Sequence, residues 1–213
     1  MSNYITVDSG TTNTRISLVR DLKVIDTLKF NVGAKNGIDN KTLLRNTIRT
    51  GIKQMLTKNN ISENNITRIL ASGMITSEFG LCPLEHIVVP VGISELHNSM
   101  EEVVLNDISE IPFVFIRGVK TKADDMETAD IMRGEETEIM GVMTSEDCEC
   151  VYILPGSHSK IIQTDKSQRI TGFLTMLTGE LASAVAQNTI LKSSVKFEFS
   201  EIDREYIIKG YEY

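Results

Sequence analysis

The sequence predicts an α/β protein in which helices pack on a mixed sheet. Three observations predict it. Residues 4–7 and 16–19 are apolar, β-branched runs that flank a polar tip, which is the pattern of a β-hairpin. Leu44, Ile48, Ile52, Met55 and Leu56 recur at helical spacing, so residues 41–58 read as an amphipathic helix ended by Asn59 and Asn60. Residues 111–116 are apolar almost throughout, as expected of a strand buried on both faces of a sheet.

The remaining elements follow in order. Residues 23–32 read as a third strand, and Gly33 and Gly37 break the loop after it. Gly51 weakens the first helix slightly. Residues 66–72 and 86–90 read as strands, with residues 73–77 as a loop between them. Ile93, Leu96, Met100, Val103 and Val104 predict a second amphipathic helix. The order is then β-β-β-α-β-β-α-β, which suits a mixed sheet with helices on it. Acidic residues crowd the stretch from Lys122 to Gly141, where a solvated helix face accounts for Glu127 and Glu138. It accounts less well for Arg133-Gly134-Glu135-Glu136, because a glycine inside a helix needs a packing or functional reason. Residues 151–154, 161–164 and 169–177 are three more strands, and Thr178 is the expected N-cap of a helix over 179–191.

The first hairpin tip is Asp8-Ser9-Gly10-Thr11-Thr12-Asn13-Thr14-Arg15. An acid at a strand end, a glycine and several hydroxyls can wrap phosphates with backbone N–H groups while the carboxylate holds magnesium through water. An ordinary polar turn has the same composition for local reasons. A second hairpin of the same design has Gly156-Ser157-His158-Ser159-Lys160 at its tip. Two such tips facing each other could hold both ends of a polyphosphate. The chain has neither a P-loop nor a dinucleotide fingerprint.

The 213 residues carry a net charge of −7, which argues against a non-specific nucleic-acid binder. Cys82, Cys148 and Cys150 lack zinc-site spacing and read as free thiols. With no signal-peptide pattern and no apolar stretch long enough to span a membrane, the expectation is a cytoplasmic protein with no nucleic-acid or membrane partner.

Asp8 to Arg15, Gly73-Met74-Ile75-Thr76-Ser77, Asp130-Ile131-Met132-Arg133-Gly134-Glu135-Glu136-Thr137, Leu154-Pro155-Gly156-Ser157-His158-Ser159-Lys160 and Phe173-Leu174-Thr175-Met176-Leu177-Thr178-Gly179-Glu180 together resemble the 2-dehydro-3-deoxygalactonokinase family. The resemblance runs from Asp8 to Glu180. It implies a duplicated ribonuclease H-like (actin-like ATPase) fold, with the first half complete over 1–143 and the second half partial over 144–213. It also implies ATP-dependent phosphorylation of the 6-hydroxyl of 2-dehydro-3-deoxy-D-galactonate in galactonate catabolism. The alternatives are a non-catalytic nucleotide-binding or sugar-sensing protein, or an inactive kinase fragment. Ser9 and Ile161 stand where the family usually has tryptophan. Family members run past Tyr213, so the last β-α units are expected to be missing and self-association, including a homodimer, is expected.

The resemblance and the residues together assign Asp8 to Mg2+ and Gly10, Thr11, Thr12 and Asn13 to the phosphates of ATP. Gly156, Ser157, His158 and Ser159 form the expected second phosphate hairpin. Phosphoryl transfer also needs a base for the sugar hydroxyl. Asp130, expected to open a helix, is the choice, with Asp125 and Glu135 as rivals; an N-cap role is the other reading of Asp130. Arg133 suits the substrate carboxylate, because a guanidinium binds it bidentately. Gly33, Glu136 and Lys160 complete the expected substrate contacts, and a surface lysine is the other reading of Lys160.

Overall fold

The structure is a computed structural model that describes residues 2–122, 128–143, 148–194 and the isolated positions 204, 205 and 209. It divides into a larger unit, Met1–Leu154 with Lys160–Thr175, and a smaller one, Pro155–Ser159 with Met176–Tyr213.

The larger unit is built on six strands: β1 (Asn3–Ser9), β2 (Thr14–Arg20), β3 (Lys23–Phe30), β4 (Ile66–Gly73), β6 (Glu101–Leu105) and β7 (Ser109–Phe115), in the order β3-β2-β1-β4-β7-β6. β1 runs antiparallel to β2 and parallel to β4, β4 runs parallel to β7, and β6 closes the edge antiparallel to β7. This is the mixed sheet expected of the ribonuclease H-like fold. Its central strands are the most apolar ones, and Ile5, Ile69, Phe113 and Phe115 have no exposed surface.

Helix α1 (Asn36–Asp39) leads into α2 (Lys41–Lys58). The side chain of Asn40 accepts a hydrogen bond from the N–H of Thr42 and so caps the longer helix. Leu44, Ile48, Ile52 and Met55 are buried in one cluster with the sheet. Gly51 has its explanation here: a Cβ would sit 2.4 Å from Ile16 Cδ1 and 2.9 Å from Phe30 Cε2, so glycine lets α2 lie close against β2 and β3.

The second helix is shorter than its spacing predicts. Helix α3 (Ile93–Asn98) ends, and residues 101–105 form β6. Pairing with β7 gives their backbone groups partners, and β-branched valines favour the pleated edge. Val103 packs on the core while Val104 is 47% exposed, an alternation with period two that the helical template concealed.

A small sheet of β5 (Ile87–Val88), β8 (Val119–Lys120) and β9 (Ile131–Met132), in the order β5-β8-β9, follows. Helix α4 (Glu135–Val142) comes directly after it. Asp130 therefore precedes a strand and does not open a helix, which corrects that expectation; the helix starts five residues later, at Glu135, after an N-cap Gly134 whose φ is +111°. Asp124, Asp125 and Glu127 lie outside the described residues.

A third sheet has the order β10 (Cys150–Leu154), β11 (Ser159–Thr164), β12 (Ile170–Met176). Ile162 and Ile170 join Val91, Met132 and Ile139 in a second core cluster, and Val91 and Ile170 exchange backbone hydrogen bonds of 2.9 and 2.7 Å. In the smaller unit, α5 (Thr178–Asn188) has Leu177 as its N-cap residue, not Thr178 as expected. The hydroxyl of Thr178 instead donates to Gly156 O at 3.3 Å. None of the three cysteines is in a disulfide, and no helix among the described residues is long and apolar enough to cross a membrane.

Candidate active site

The end of β1 supplies the first group. Asp8 sits opposite Arg15 of β2, with Arg15 Nε 3.5 Å from its carboxylate, and beside Ser72 of β4. The tip beyond it is closed by Gly10 N donating to Asn13 O at 2.9 Å. It is also held from outside, because Ala34 N and Lys35 N donate to Gly10 O and Thr11 O at 3.0 and 2.9 Å. Gly33 makes that approach possible: a Cβ there would lie 2.5 Å from Gly10 O and 2.6 Å from Thr11 O. Gly33, expected to touch substrate, thus packs against the tip of the first hairpin.

The start of α4 supplies the second group. Arg133 N donates to Glu135 Oε2 at 3.0 Å, and Gly134 N donates to both oxygens of Glu136 at 2.9 and 2.8 Å. A Cβ on Gly134 would lie 3.4 Å from the Cα of Gly73, so the two turns meet glycine to glycine. Glu136 has no exposed surface, and burial pushes its carboxyl up to about 7 against the pull of the Gly134 N–H. Expected to bind substrate, it instead shapes the turn between β9 and α4.

Between these groups lies a cavity of about 550 Å³, lined by Asp8, Gly10, Thr12, Asn13 and Arg15 on one side and by Arg133, Gly134, Glu135, Thr137 and Glu138 on the other. Glu138 was missed as a site residue, although its spacing from Glu135 places both on one face of α4. Burial raises the pKa of its carboxyl, and the nearby charges of Asp8 and Glu135 raise it further. Such crowding of carboxylates suits a divalent cation, and magnesium takes one or two carboxylates beside phosphate and water. The oxygen donors here fit that ion. Among the described residues no cluster of three or more His, Cys, Asp or Glu forms an all-protein metal cage.

Asp130 and Lys160 are elsewhere. Asp130 lines a separate hollow with Thr121, Lys122 and Phe173, and its carboxylate accepts from Thr175 N at 2.5 Å and Thr175 Oγ1 at 2.7 Å. The ammonium of Lys160 is buried, donates to Ile131 O at 2.8 Å and to Thr175 Oγ1, and lies 5.8 Å from the ring centre of Phe173. The guanidinium of Arg133 donates to Thr76 O and Thr76 Oγ1, both at 2.8 Å, and to Leu84 O at 3.0 Å.

In the smaller unit, the tip Pro155–Ser159 is anchored on the start of α5. Gly179 N and Glu180 N donate to Gly156 O and Ser157 O at 3.2 and 3.1 Å. Gly156 N donates to Ser159 Oγ, Ser159 Oγ pairs with Thr178 Oγ1, and His158 Nε2 pairs with Glu180 Oε2. A Cβ at Gly179 would lie 2.6 Å from Gly156 O, so this second tip is also held through a glycine.

Glu136 gives a prediction. Its folded-state pKa is raised above the unfolded value, so the protonated carboxyl stabilises the fold below about pH 4.5 and that contribution is lost as the pH rises towards 7. A shift of that size corresponds to roughly 3 kcal/mol. Glu136→Gln keeps an oxygen for Gly134 N–H but does not titrate. Its stability in urea titrations is expected to be flat between pH 4.5 and 7, where the parent protein weakens; parallel pH profiles would show that Glu136 is not buried as a carboxyl.

A family profile, 2-keto-3-deoxy-galactonokinase, matches residues 8–206. The 2-dehydro-3-deoxygalactonokinase of Escherichia coli is 26% identical over 190 residues, which are 89% of this chain and 59% of that protein. A solved structure from Sinorhizobium meliloti, described as a candidate 2-dehydro-3-deoxygalactonokinase, superposes with a TM-score of 0.73 at 23% identity over 90% of this chain and 59% of its own. A reductive activator for a corrinoid, iron-sulfur protein shares the fold with a TM-score of 0.52 at 15% identity, over 82% of this chain and 30% of its own. The chain thus spans 59% of the length of the Escherichia coli relative.

Proposed function

This chain belongs to the 2-keto-3-deoxy-galactonokinase family, and on that premise we propose that it carries part of the site for ATP-dependent phosphorylation of the 6-hydroxyl of 2-dehydro-3-deoxy-D-galactonate, a step of galactonate catabolism. The observation that carries this is the cavity in which Asp8 and the Gly10–Asn13 tip face the acidic start of α4. A phosphate tip opposite a carboxylate is what phosphoryl transfer to a hydroxyl requires.

In the transfer, the hydroxyl oxygen bonds to the γ-phosphorus, the bond to the ADP oxygen breaks, and the hydroxyl proton passes to a carboxylate. Glu135 is the base in this proposal, since it lines the cavity with Asp8 whereas Asp130 lines another hollow. Its position in the first turn of α4, braced by Arg133 N–H, aims it without burying it. Gly10, Thr12 and Asn13 contact the phosphates, and Thr11 ties the tip to Lys35. Asp8 would hold magnesium, which would neutralise phosphate charge when bound. Asp130 and Lys160 act as positioning residues: through Thr175 and Ile131 they fix β9, which delivers Arg133. The tip Gly156, Ser157, His158 and Ser159 is the second phosphate grip in this proposal.

The test is a coupled ADP-release assay with and without the keto-deoxy acid. Release that depends on the acid is expected. ATP turnover indifferent to it would favour a nucleotide-binding or sensing protein instead.

A further inference from the structure

Arg133 lines two cavities. Behind the one that holds Asp8 is a second, of about 390 Å³, lined by Thr76, Glu78, Pro83, Leu84, Glu85, His86, Lys120 and Arg133. Three nitrogen-bearing side chains converge on it from three elements. His86 precedes β5, Lys120 ends β8 and Arg133 follows β9; the parallel β5–β8 register, Val88 opposite Lys120, brings the first two together. All three are half-buried, whereas Glu78 and Glu85 are exposed, where solvent screens them.

We propose that this cavity binds the carboxylate of the sugar acid, with Lys120 and His86 as ligands beside Arg133, while the other end of the substrate reaches Glu135. This inference rests on the kinase proposal above. The first support is an orphaned donor. His86 Nδ1 lies 3.5 Å from Arg133 Nη2, and a guanidinium only donates, so Nδ1 accepts and the proton of the neutral ring sits on Nε2. That Nε2 is buried and has no hydrogen-bond partner. Buried donors are normally satisfied, and a turn of the ring towards the cavity would offer this one to an anion oxygen. The second support is charge. Burial lowers the His86 pKa to about 4, and Arg133 and Lys120 push in the same direction. Among the described residues no carboxylate is among the causes of that shift, and the glutamates that line the cavity, Glu78 and Glu85, are exposed. Third, among the described residues the ammonium of Lys120 forms no ion pair and no hydrogen bond, which leaves it for a ligand. Arg133 is held by Thr76 and Leu84 and lines both cavities, so one substrate passing along its side chain would meet both. Such a substrate would lie with its acid end on the basic side of Arg133 and its 6-hydroxyl on the acidic side.

The experiment is an NMR titration of the imidazole signals. The chain has only three histidines, so His97 and His158 serve as internal references. Adding 2-dehydro-3-deoxy-D-galactonate is expected to raise the His86 pKa towards its ordinary range, and the neutral analogue with the carboxylate reduced to an alcohol is expected to leave it unmoved. Lys120→Met is expected to raise KM for the acid by about 10- to 100-fold with little change in kcat, the mark of lost ground-state binding. Acid-dependent ADP release with a silent His86 would overturn the inference and leave the kinase proposal standing. A response of His86 to inorganic phosphate but not to the acid would overturn it too. A His86 shift with the acid but no ADP release would support the carboxylate site and sink the kinase proposal.

Discussion

Asp8→Asn is expected to lower acid-dependent ADP release by about a hundred- to a thousand-fold while leaving the melting temperature nearly unchanged. The size follows from the several kcal/mol that a positioned metal contributes to charge stabilisation in the transition state, at about 1.4 kcal/mol per tenfold. Asparagine keeps the shape and one oxygen but removes the charge. The fold should tolerate it, because the Asp8 side chain is 47% exposed and its contact with Arg15, at 3.5 Å, is a surface pair of small worth. The same change removes the first-ranked charge that raises the Glu138 pKa, so the Glu138 carboxyl should titrate lower in the variant. A coupled assay beside a thermal melt checks both halves. Near-normal turnover would remove Asp8 from the mechanism, and a collapsed melt would make it a structural residue.

Gly73→Ala should produce the largest loss of stability among single methyl additions around the cavity. Gly73 has φ +85°, in the region L side chains rarely adopt, and its new Cβ would lie 2.6 Å from Ser9 O. Both ends of that contact are backbone in paired central strands, since Ser9 and Gly73 are register partners. Neither can give way without disturbing the sheet. A strained dihedral costs about 1–3 kcal/mol and the clash adds to it. For a domain of this size the melting temperature should fall by roughly 5–10 °C. ATP-dependent turnover should fall as well, because Ser9 joins Asp8 to the phosphate tip. A variant that melts with the parent would show that the β1–β4 junction relaxes freely. Gly141→Ala, with no atom within 4 Å of the added Cβ, is the matching control and should be neutral or better.

Strong local patterns were legible in the sequence, and they survive in the structure. The 3.6-residue spacing of Leu44, Ile48, Ile52 and Met55 states a helix and the face it buries, because helical geometry alone puts those residues in one stripe. The first hairpin was equally plain, with apolar runs flanking a glycine-containing tip, and the solid apolar run of 111–116 marked β7 as an inner strand. The two phosphate-type tips and the Arg133-Gly134-Glu135-Glu136 block stood out by residue type.

Long-range packing decided the rest. Residues 101–105 fit a helix by spacing, yet a free edge on β7 made them a strand, since backbone hydrogen bonds to a neighbour outweigh a weak local preference. Gly33 reads as a loop breaker, but its reason is the hairpin tip, Gly10 and Thr11, pressed against it from far upstream in the chain. Glu136 carries the same charge as Glu135 in any composition count. Only the turn between β9 and α4 sends one into the cavity and buries the other, with a pKa moved to about 7. From the sequence, Asp130 is the choice for the base because it is expected to open a helix; it precedes β9 instead and lines another hollow, a placement set by strand pairing. His86 and Lys120 lie 34 positions apart and share no motif; strand pairing alone set them around one cavity. Local periodicity specifies elements because it is geometry within a few residues. A site is made of contacts between residues far apart, and those exist only once the sheet has chosen its register.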